Sequence, residues 1–287
     1  SAFSWIKNRG TDDNHMLFDR VRGATKDWHS NSDAVQATNV QTVKAFLGGG
    51  VTIGTDVEVN TSSENYVLWN WMMAASGSGS SNEDGSINTT ATLVDTTLGM
   101  SISQYTGTGS NATIGHGLGA VPKFIIIKNL DVAEDPVVYH EALGNTTQAP
   151  LNETGTSVNA IFWQNTTPTS SVISIGTSST VNQSSQTFIC YAFTDSQFVS
   201  IGSYRGNDNA NGTFVPTLNS LGVSLQPVWA ITKPIGTGNW QMFDNKRSGY
   251  NVKNNELLAN IAEQESSESS LDIVTGGLKM RIATDPN

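Results

Sequence analysis

The sequence predicts an all-β fold of tandem β-sandwich modules, six to eight strands each, with little helix. Three observations support this class: one motif occurs three times, short apolar runs alternate with turn residues, and charged residues are scarce. They make up 14% of the 287 residues, against about 25% in typical domains. The 37% hydrophobic content is sufficient for buried cores.

The repeated motif is an apolar-X-Lys segment that precedes a polar turn. Its three copies lie at residues 5–8, 126–129 and 231–234. Ten or eleven residues after each lysine comes an aromatic residue, and a glycine follows it; the aromatics are Phe18, Tyr139 and Phe243. Such a period indicates tandem modules of one architecture.

Two further segments extend the repeat unequally. Residues 52–54 match 174–176, and an asparagine lies six residues past the glycine in both copies. The aromatic runs 66–71 and 188–193 follow at the same interval. In contrast, residues 104–107 have a counterpart at 203–206 only. We therefore expect the first copy to lack its first strands and the third copy to lack its closing strand.

These alignments predict the domain organisation. We expect a partial first module in residues 1–75, a complete second module in 99–197 and a partial third module in 198–287. Residues 76–98 begin with a Ser/Gly tract, which is typical of a flexible linker. The second and third modules have no such linker between them, which favours rigid packing of the two.

Strand-type residues mark six strands in the complete module. They are residues 100–105, 123–128, 137–140, 161–163, 172–175 and 187–193. The continuously apolar residues 124–127 predict a strand buried on both faces. The single helix candidate is 255–265, where Leu257, Leu258 and Ile261 follow an asparagine with helical spacing.

Charge and cysteine content exclude several classes of function. A net charge of −10 argues against nucleic acid and against an anionic membrane surface. No apolar run approaches the roughly 18 residues of a membrane helix, so membrane insertion is not expected. The single cysteine, Cys190, excludes an internal disulfide, and its apolar neighbours predict a buried thiol.

No catalytic or metal site is predicted, and neither is a cofactor. The histidines, His15, His29, His116 and His140, lie outside metal-binding spacings. His140 occupies a repeat position that is aspartate in the other copies, Asp19 and Asp244, and we interpret that position as exposed. The acidic pairs 12–13, 83–84 and 134–135 fall in turns. The chain is therefore predicted not to be an enzyme.

Tryptophans are the better functional candidates. Their rings can stack on sugars, although packing in a core is the alternative. Trp28 and Trp240 are the two that we single out as candidate glycan-binding residues.

Longer strings carry a family resemblance. They are Asn-Glu-Asp-Gly-Ser-Ile at 82–87, Tyr-Thr-Gly-Thr-Gly at 105–109, His-Gly-Leu-Gly-Ala-Val-Pro at 116–122 and Ile-Ile-Ile-Lys-Asn at 125–129. This set resembles a repeat in virion structural, tail fibre-like proteins of marine tailed bacteriophages of the cyanophage and podovirus type. Residues 16–23 and 240–247 resemble another segment of that repeat. The third copy departs from the pattern, because residues 218–222 replace the His-Gly-Leu-Gly turn.

The resemblance implies a bacteriophage virion structural protein at the particle surface: a tail fibre, a spike or a capsid-surface appendage. It implies partners among other virion proteins and copies of the same chain, with a homotrimer as the usual form, and host-surface glycans as further ligands. It implies no catalytic residues. A bacterial surface adhesin or lectin is the alternative, and a polysaccharide depolymerase on the same scaffold is a third reading.

Overall fold

The structure is a computed structural model that describes residues 1–159, 161–249 and 251–283. The chain is almost entirely β, in several sheets, so the predicted fold class is confirmed. Among the described helices, none has the length and apolar content to cross a membrane.

The first repeat forms a five-stranded antiparallel sheet and a separate strand pair. Its elements are β1 (Phe3–Asn8), β2 (Met16–Asp19), β3 (Lys26–His29), β4 (Ala37–Thr38), β5 (Val43–Phe46), β6 (Val51–Ile53), α1 (Val57–Asn60) and β7 (Tyr66–Trp71). The strand order in the sheet is β4-β3-β2-β1-β7, and β5 pairs with β6. β7 closes the sheet beside β1, with Phe3 opposite Trp71.

The second repeat has the same plan with more strands. Its elements are β8 (Ala91–Asp95), β9 (Met100–Thr106), β10 (Ala112–Gly115), β11 (Phe124–Asn129), β12 (Val137–His140), β13 (Thr147–Pro150), β14 (Ser157–Val158), β15 (Val172–Ile175), α2 (Ser179–Asn182) and β16 (Thr187–Phe193). The seven-stranded sheet has the order β14-β13-β12-β11-β16-β9-β8, and β10 pairs with β15.

The third repeat forms a six-stranded sheet. Its strands are β17 (Phe214–Pro216), β18 (Trp229–Thr232), β19 (Gln241–Asp244), β20 (Lys253–Leu258), β21 (Ser266–Val274) and β22 (Gly277–Met280). They lie in the order β17-β22-β21-β20-β19-β18. By the repeat alignment, β18 is the counterpart of β1 and β11. It is an edge strand here, whereas β1 and β11 each have a strand on both sides.

Each large sheet separates two cores, as the two-residue alternation of a strand requires. On one face, residues of all three repeats enter a single cluster, which we call the shared core; Trp5, Ile126 and Met242 belong to it. On the other face, each repeat has its own core, with Ile6 in the first and Ile127 in the second. The three repeats therefore pack around common apolar side chains.

The glycine and asparagine of the repeat have a direct structural role. Asn60 and Asn182 donate from Nδ2 to the carbonyl oxygens of Gly54 and Gly176, at 2.8 and 2.9 Å. A side chain on Gly176 would place its Cβ 2.1 Å from the carbonyl oxygen of Ile161. The interval of six residues thus fixes the single-turn helices α1 and α2 against the preceding strands.

Two sequence predictions about local structure are wrong. Residues 161–163 form a turn rather than a strand, because Trp163 fills the core of the second repeat and donates to the carbonyl of Thr147 at 3.1 Å. The stretch 255–265 is not helical. It contains most of β20, where Leu257 faces the shared core and Glu256 the opposite side, bonded to Ser270.

The stretch 76–98 also differs from the predicted flexible linker. β8 lies within it and forms the edge of the second sheet, pairing with β9 from Ala91↔Gln104 to Asp95↔Met100. The Ser/Gly tract itself is held by a bridge between Ser80 and Thr92. Leu93 is fully buried in the shared core. Composition alone missed this strand because it follows a tract that lacks apolar residues.

Candidate functional site

The two tryptophans predicted to stack on glycans are buried, so that prediction is wrong. Trp28 is 0% exposed and donates from Nε1 to the hydroxyl of Tyr191 at 3.0 Å. Trp240 is 4% exposed and donates to the carbonyl of Pro150 at 2.9 Å. Both rings belong to the shared core. Their hydrogen bonds satisfy the indole N–H groups and leave neither ring face for a sugar.

The histidines are also engaged in packing. His15 is fully buried and accepts from Trp5 Nε1 at 2.9 Å, and burial lowers its pKa well below the usual value. Burial likewise lowers the pKa of His116, which accepts from the Leu118 N–H. Burial raises the pKa of the Cys190 thiol. Over the described ranges, no group of three His, Cys, Asp or Glu residues could hold a metal ion.

The lysine of the repeat is buried in a cage of carbonyl oxygens. Lys7 donates to the carbonyls of Asn8 and Thr11, at 2.7 and 2.9 Å. Lys128 donates to the backbone carbonyls of Glu134 and of Asp33 in the first repeat, at 2.7 and 2.8 Å. The apolar strand carries the lysine inside, and the polar turn that follows folds back to supply its acceptors.

The third lysine makes the same contacts with a different neighbour. Lys233 donates to Gly236 in its own turn at 2.9 Å and to Thr154 of the second repeat at 2.8 Å. Desolvation lowers the pKa of both Lys7 and Lys128 from 10.5 to about 8, although nearby carboxylates raise it. In the second and third copies the lysine therefore joins its repeat to the preceding one, whereas Lys7 donates within its own turn.

Backbone hydrogen bonds continue these seams between repeats. The N–H of Gln36 donates to the carbonyl of Leu130, and the N–H of Glu265 donates to that of Arg9, both at 3.0 Å. Arg9 and Leu130 occupy the same repeat position, two residues after the lysine. The second repeat thus contacts the first through Leu130, and the first contacts the third through Arg9. The third contacts the second through Lys233. The contacts close a ring within one chain.

A buried aspartate forms a second kind of seam. The hydroxyl of Tyr191 on β16 donates to Asp19 of the first repeat at 2.6 Å. At the same strand position, Trp69 on β7 donates to Asp244 of the third repeat at 3.0 Å. Each aspartate also pairs with the arginine three residues later; the pairs are Asp19–Arg22 at 2.5 Å and Asp244–Arg247 at 2.6 Å.

The aspartate position was predicted to be exposed, and that interpretation is wrong. Asp19 is 0% and Asp244 is 5% exposed. Burial alone would raise the pKa of Asp244, but Arg247 and two backbone N–H groups outweigh it and lower the pKa. The Asp-X-X-Arg spacing, present in the first and third copies, was the signal that could have identified a buried ion pair.

A cleft of about 440 Å³ lies where the second repeat joins the third. Lys123 and Asp195 line it and form an ion pair at 2.9 Å. Asp195 also accepts from the hydroxyl of Ser220 at 2.6 Å and from the N–H of Ile201 at 3.0 Å. The carboxylate is fully engaged by the chain, so these contacts fix the short join and leave no free acceptor for a ligand.

The comparisons with known proteins place the whole chain in one family. Residues 1–287 match the sequence profile of DUF7483, described as a domain of unknown function. No curated protein and no solved structure matches the chain significantly. Because the match covers every residue, the chain belongs to the DUF7483 family.

Proposed function

We propose that the protein is a structural component of a bacteriophage virion, a tail fibre, spike or capsid-surface appendage, that acts without catalysis. The observation that supports the proposal is the ring of three repeats around one shared core. Such a ring presents β modules at fixed relative positions, which is what an extracellular scaffold needs. The resemblance to tail fibre-like repeats supplies the virion setting.

The chemistry of the described residues supports a scaffold rather than an active site. Buried polar groups that could act as acid, base or nucleophile are engaged in hydrogen bonds within the chain, and some of them join repeats, as Lys128 and Asp19 do. Large apolar side chains remain on the surface, among them Phe198 at 63% and Leu221 at 63% exposed. Exposed apolar residues of this size suit contacts with other proteins.

The proposed location is the surface of the particle, and the proposed partners are other virion proteins and copies of this chain. A homotrimer is the assembly that we propose, since it would give each appendage three identical rings and raise avidity for a host surface. Host glycans remain proposed ligands of the assembly, through residues other than Trp28 and Trp240.

The experiment that tests the proposal is localisation in purified particles. Antibodies raised against the protein should label virions at one structural position by electron microscopy, and peptides of the chain should be present in the particle at stoichiometric amounts. Absence of the protein from purified virions would contradict the proposal.

Two assays separate the alternatives. A lectin would bind host glycans on an array without any virion present. A depolymerase would release reducing sugars from host polysaccharide, and we expect no release. Reducing-sugar release by the pure protein would overturn the non-catalytic assignment.

A further inference from the structure

The sheet of the third repeat has an open edge where its counterparts carry a strand. β1 pairs with β7, and β11 pairs with β16. β18 pairs with β19 alone among the described strands. An unpaired edge presents a row of N–H and C=O groups to any strand that can add to it.

The opposite flank of this opening is also present. Residues 199–205 align with β9, which pairs with the other edge of β16 in the second repeat. Ile201 packs on the shared core, as Ile102 does, and Tyr204 packs on the core of the third repeat, as Tyr105 packs on that of the second. The segment therefore keeps the facing of its counterpart, although no strand is assigned in it.

The exposure of the two flanks reflects the empty position between them. Ser103 on β9 is 1% exposed, whereas its counterpart Gly202 lies on the surface. Trp5 and Ile126 are 2% and 3% exposed, whereas their counterpart Ile231 is only partly buried. We call the space between β18 and residues 199–205 the strand slot.

β18 also carries two buried polar atoms without a hydrogen-bond partner. They are Nε1 of Trp229 and Oγ1 of Thr232. An unsatisfied buried donor costs about 1–3 kcal/mol, so native structures rarely keep one. Both atoms belong to the strand that borders the slot, where an added strand can bring them a partner.

We propose that the strand slot binds an extended segment of another polypeptide, which adds antiparallel to β18 as a closing strand. This is recognition by β-strand addition, and it is independent of the proposed virion role. A second copy of this chain is the less suitable donor. Its two closing strands, β7 and β16, are already bound within their own sheets.

The two existing closing strands indicate the sequence that the slot selects. Their shared-core positions are Val67, Trp69 and Trp71 in β7, and Ile189, Tyr191 and Phe193 in β16. The matching register places an aromatic residue opposite Trp229, as Phe193 lies opposite Phe124. The incoming strand should therefore carry apolar side chains at alternate positions, with aromatics at the second and third.

His140 defines the preferred residue at the central position. At the central position of the two existing closing strands, Tyr191 donates to Asp19 of the first repeat and Trp69 donates to Asp244 of the third. The second repeat has His140 at the position of these aspartates, so the central residue of the incoming strand should reach His140. Nδ1 of His140 accepts from the Ala142 N–H at 3.0 Å, so a neutral ring carries its proton on Nε2. Burial lowers the pKa of His140, which favours the neutral ring. A tyrosine hydroxyl, which can accept that proton, fits the position.

The test uses a synthetic peptide with the sequence of residues 185–195 and the change Cys190→Ser. We expect it to bind the 287-residue chain one to one in calorimetry and to raise the Tm. Bound peptide should slow amide hydrogen exchange in residues 229–232 and 199–205 by about tenfold or more. A scrambled peptide of the same composition should do neither.

Two proline variants provide a matched pair. The N–H of Thr90 on the β8 side donates to the carbonyl of Gln104, so by strand alternation the backbone groups of Ser103 face β16. The counterpart of Gln104 is Ser203, whose backbone groups face away from the slot. The counterpart of Ser103 is Gly202, whose backbone groups face into it. Gly202→Pro should weaken peptide binding about tenfold, as expected for one lost backbone hydrogen bond, and Ser203→Pro should change it less than about twofold.

Three outcomes would overturn the proposal. They are equal binding of the scrambled peptide, no protection of residues 229–232, and equal effects of the two proline variants. Self-association of the chain alone, with protection of the same amides, would assign the slot to a second copy and overturn the choice of a different polypeptide.

Discussion

Lys7 and Lys128 place side-chain amines among backbone carbonyls with no exposure to solvent. Desolvation lowers the pKa of each to about 8. Lys123 provides a contrast, because its partners Asp195 and Glu141 outweigh its desolvation and raise its pKa. We expect the Cε resonances of Lys7 and Lys128 to titrate near pH 8 in a carbon-13 NMR experiment, and that of Lys123 above the usual range. Titration of all three lysines at the same pH would contradict the burial of Lys7 and Lys128 among carbonyl oxygens.

The same lysines give the stability of the fold a dependence on pH. The folded amines release their protons near pH 8, whereas unfolded lysine holds its proton to about 10.4. The unfolded state therefore binds more protons across that interval, so these two groups make the free energy of unfolding rise with pH there. Urea unfolding at pH 8 and pH 9.5 should show the difference, and Lys7→Met together with Lys128→Met should remove it.

Tyr191 is the second residue whose effect can be predicted. Its hydroxyl donates to Asp19 and accepts from Trp28. Tyr191→Phe therefore leaves a buried indole N–H unpaired and removes one hydrogen-bond donor from a buried carboxylate. We expect a loss of about 2–4 kcal/mol in the free energy of unfolding. Tyr105→Phe is the control, because that hydroxyl donates to one carbonyl only, and it should cost about 1 kcal/mol. Equal losses of unfolding free energy for the two variants in denaturant titrations would contradict a stabilising role of the Tyr191–Asp19 contact.

Among the elements, the stretch 76–98 makes the sharpest prediction. A Cβ on Gly85 would lie 2.4 Å from the carbonyl oxygen of Thr113, whereas one on Gly49 would meet nothing within 4 Å. Gly85→Ala should therefore destabilise the protein by about 1–3 kcal/mol. Gly49→Ala should be neutral or stabilise it by less than about 1 kcal/mol. Equal behaviour of the two variants in urea unfolding would mean that the stretch is flexible after all.

The strands were predictable where a continuous apolar run fixed both the period and the ends. The predicted strands 137–140, 172–175 and 187–193 coincide with β12, β15 and β16. β20 was not predictable, because Leu257, Leu258 and Ile261 fit a helical spacing by chance. The pairing with β19 and β21 decides the conformation of this segment. Long-range pairing of this kind leaves no local signal in the sequence.

The candidate site was less predictable than the fold. The repeat identified Lys7, Lys128 and Lys233 as equivalent, but it did not show that Lys7 and Lys128 are fully buried and Lys233 only partly so. Trp28 and Trp240 could be assigned to a sugar-binding surface because a tryptophan suits both a core and a surface. Which of the two holds depends on how the repeats pack against each other, and no single copy contains that information.

At the scale of the whole molecule, the ring makes the three repeats depend on each other. Glu265 joins the first and third repeats by accepting from Arg9 at 2.7 Å and from Arg247 at 2.9 Å. Burial would raise the pKa of Glu265, but these arginines and Asn255 outweigh it and lower the pKa. The carboxylate is therefore charged in the fold at neutral pH, and it pairs with both arginines.

Glu265→Gln should consequently weaken the entire ring. Replacing the charge of this partly buried carboxylate weakens its hydrogen bonds to both arginines and should cost about 1–3 kcal/mol. Since the shared core couples the repeats, the loss should lower the unfolding midpoint of all three alike. Hydrogen exchange in denaturant would report on β2, β12 and β19 separately. Glu141→Gln is the control, because Glu141 pairs with Lys123 at a side chain that is 39% exposed, and it should cost less than about 1 kcal/mol. A lower midpoint in β19 alone would show that the third repeat unfolds by itself and that the shared core does not join the three into one cooperative unit.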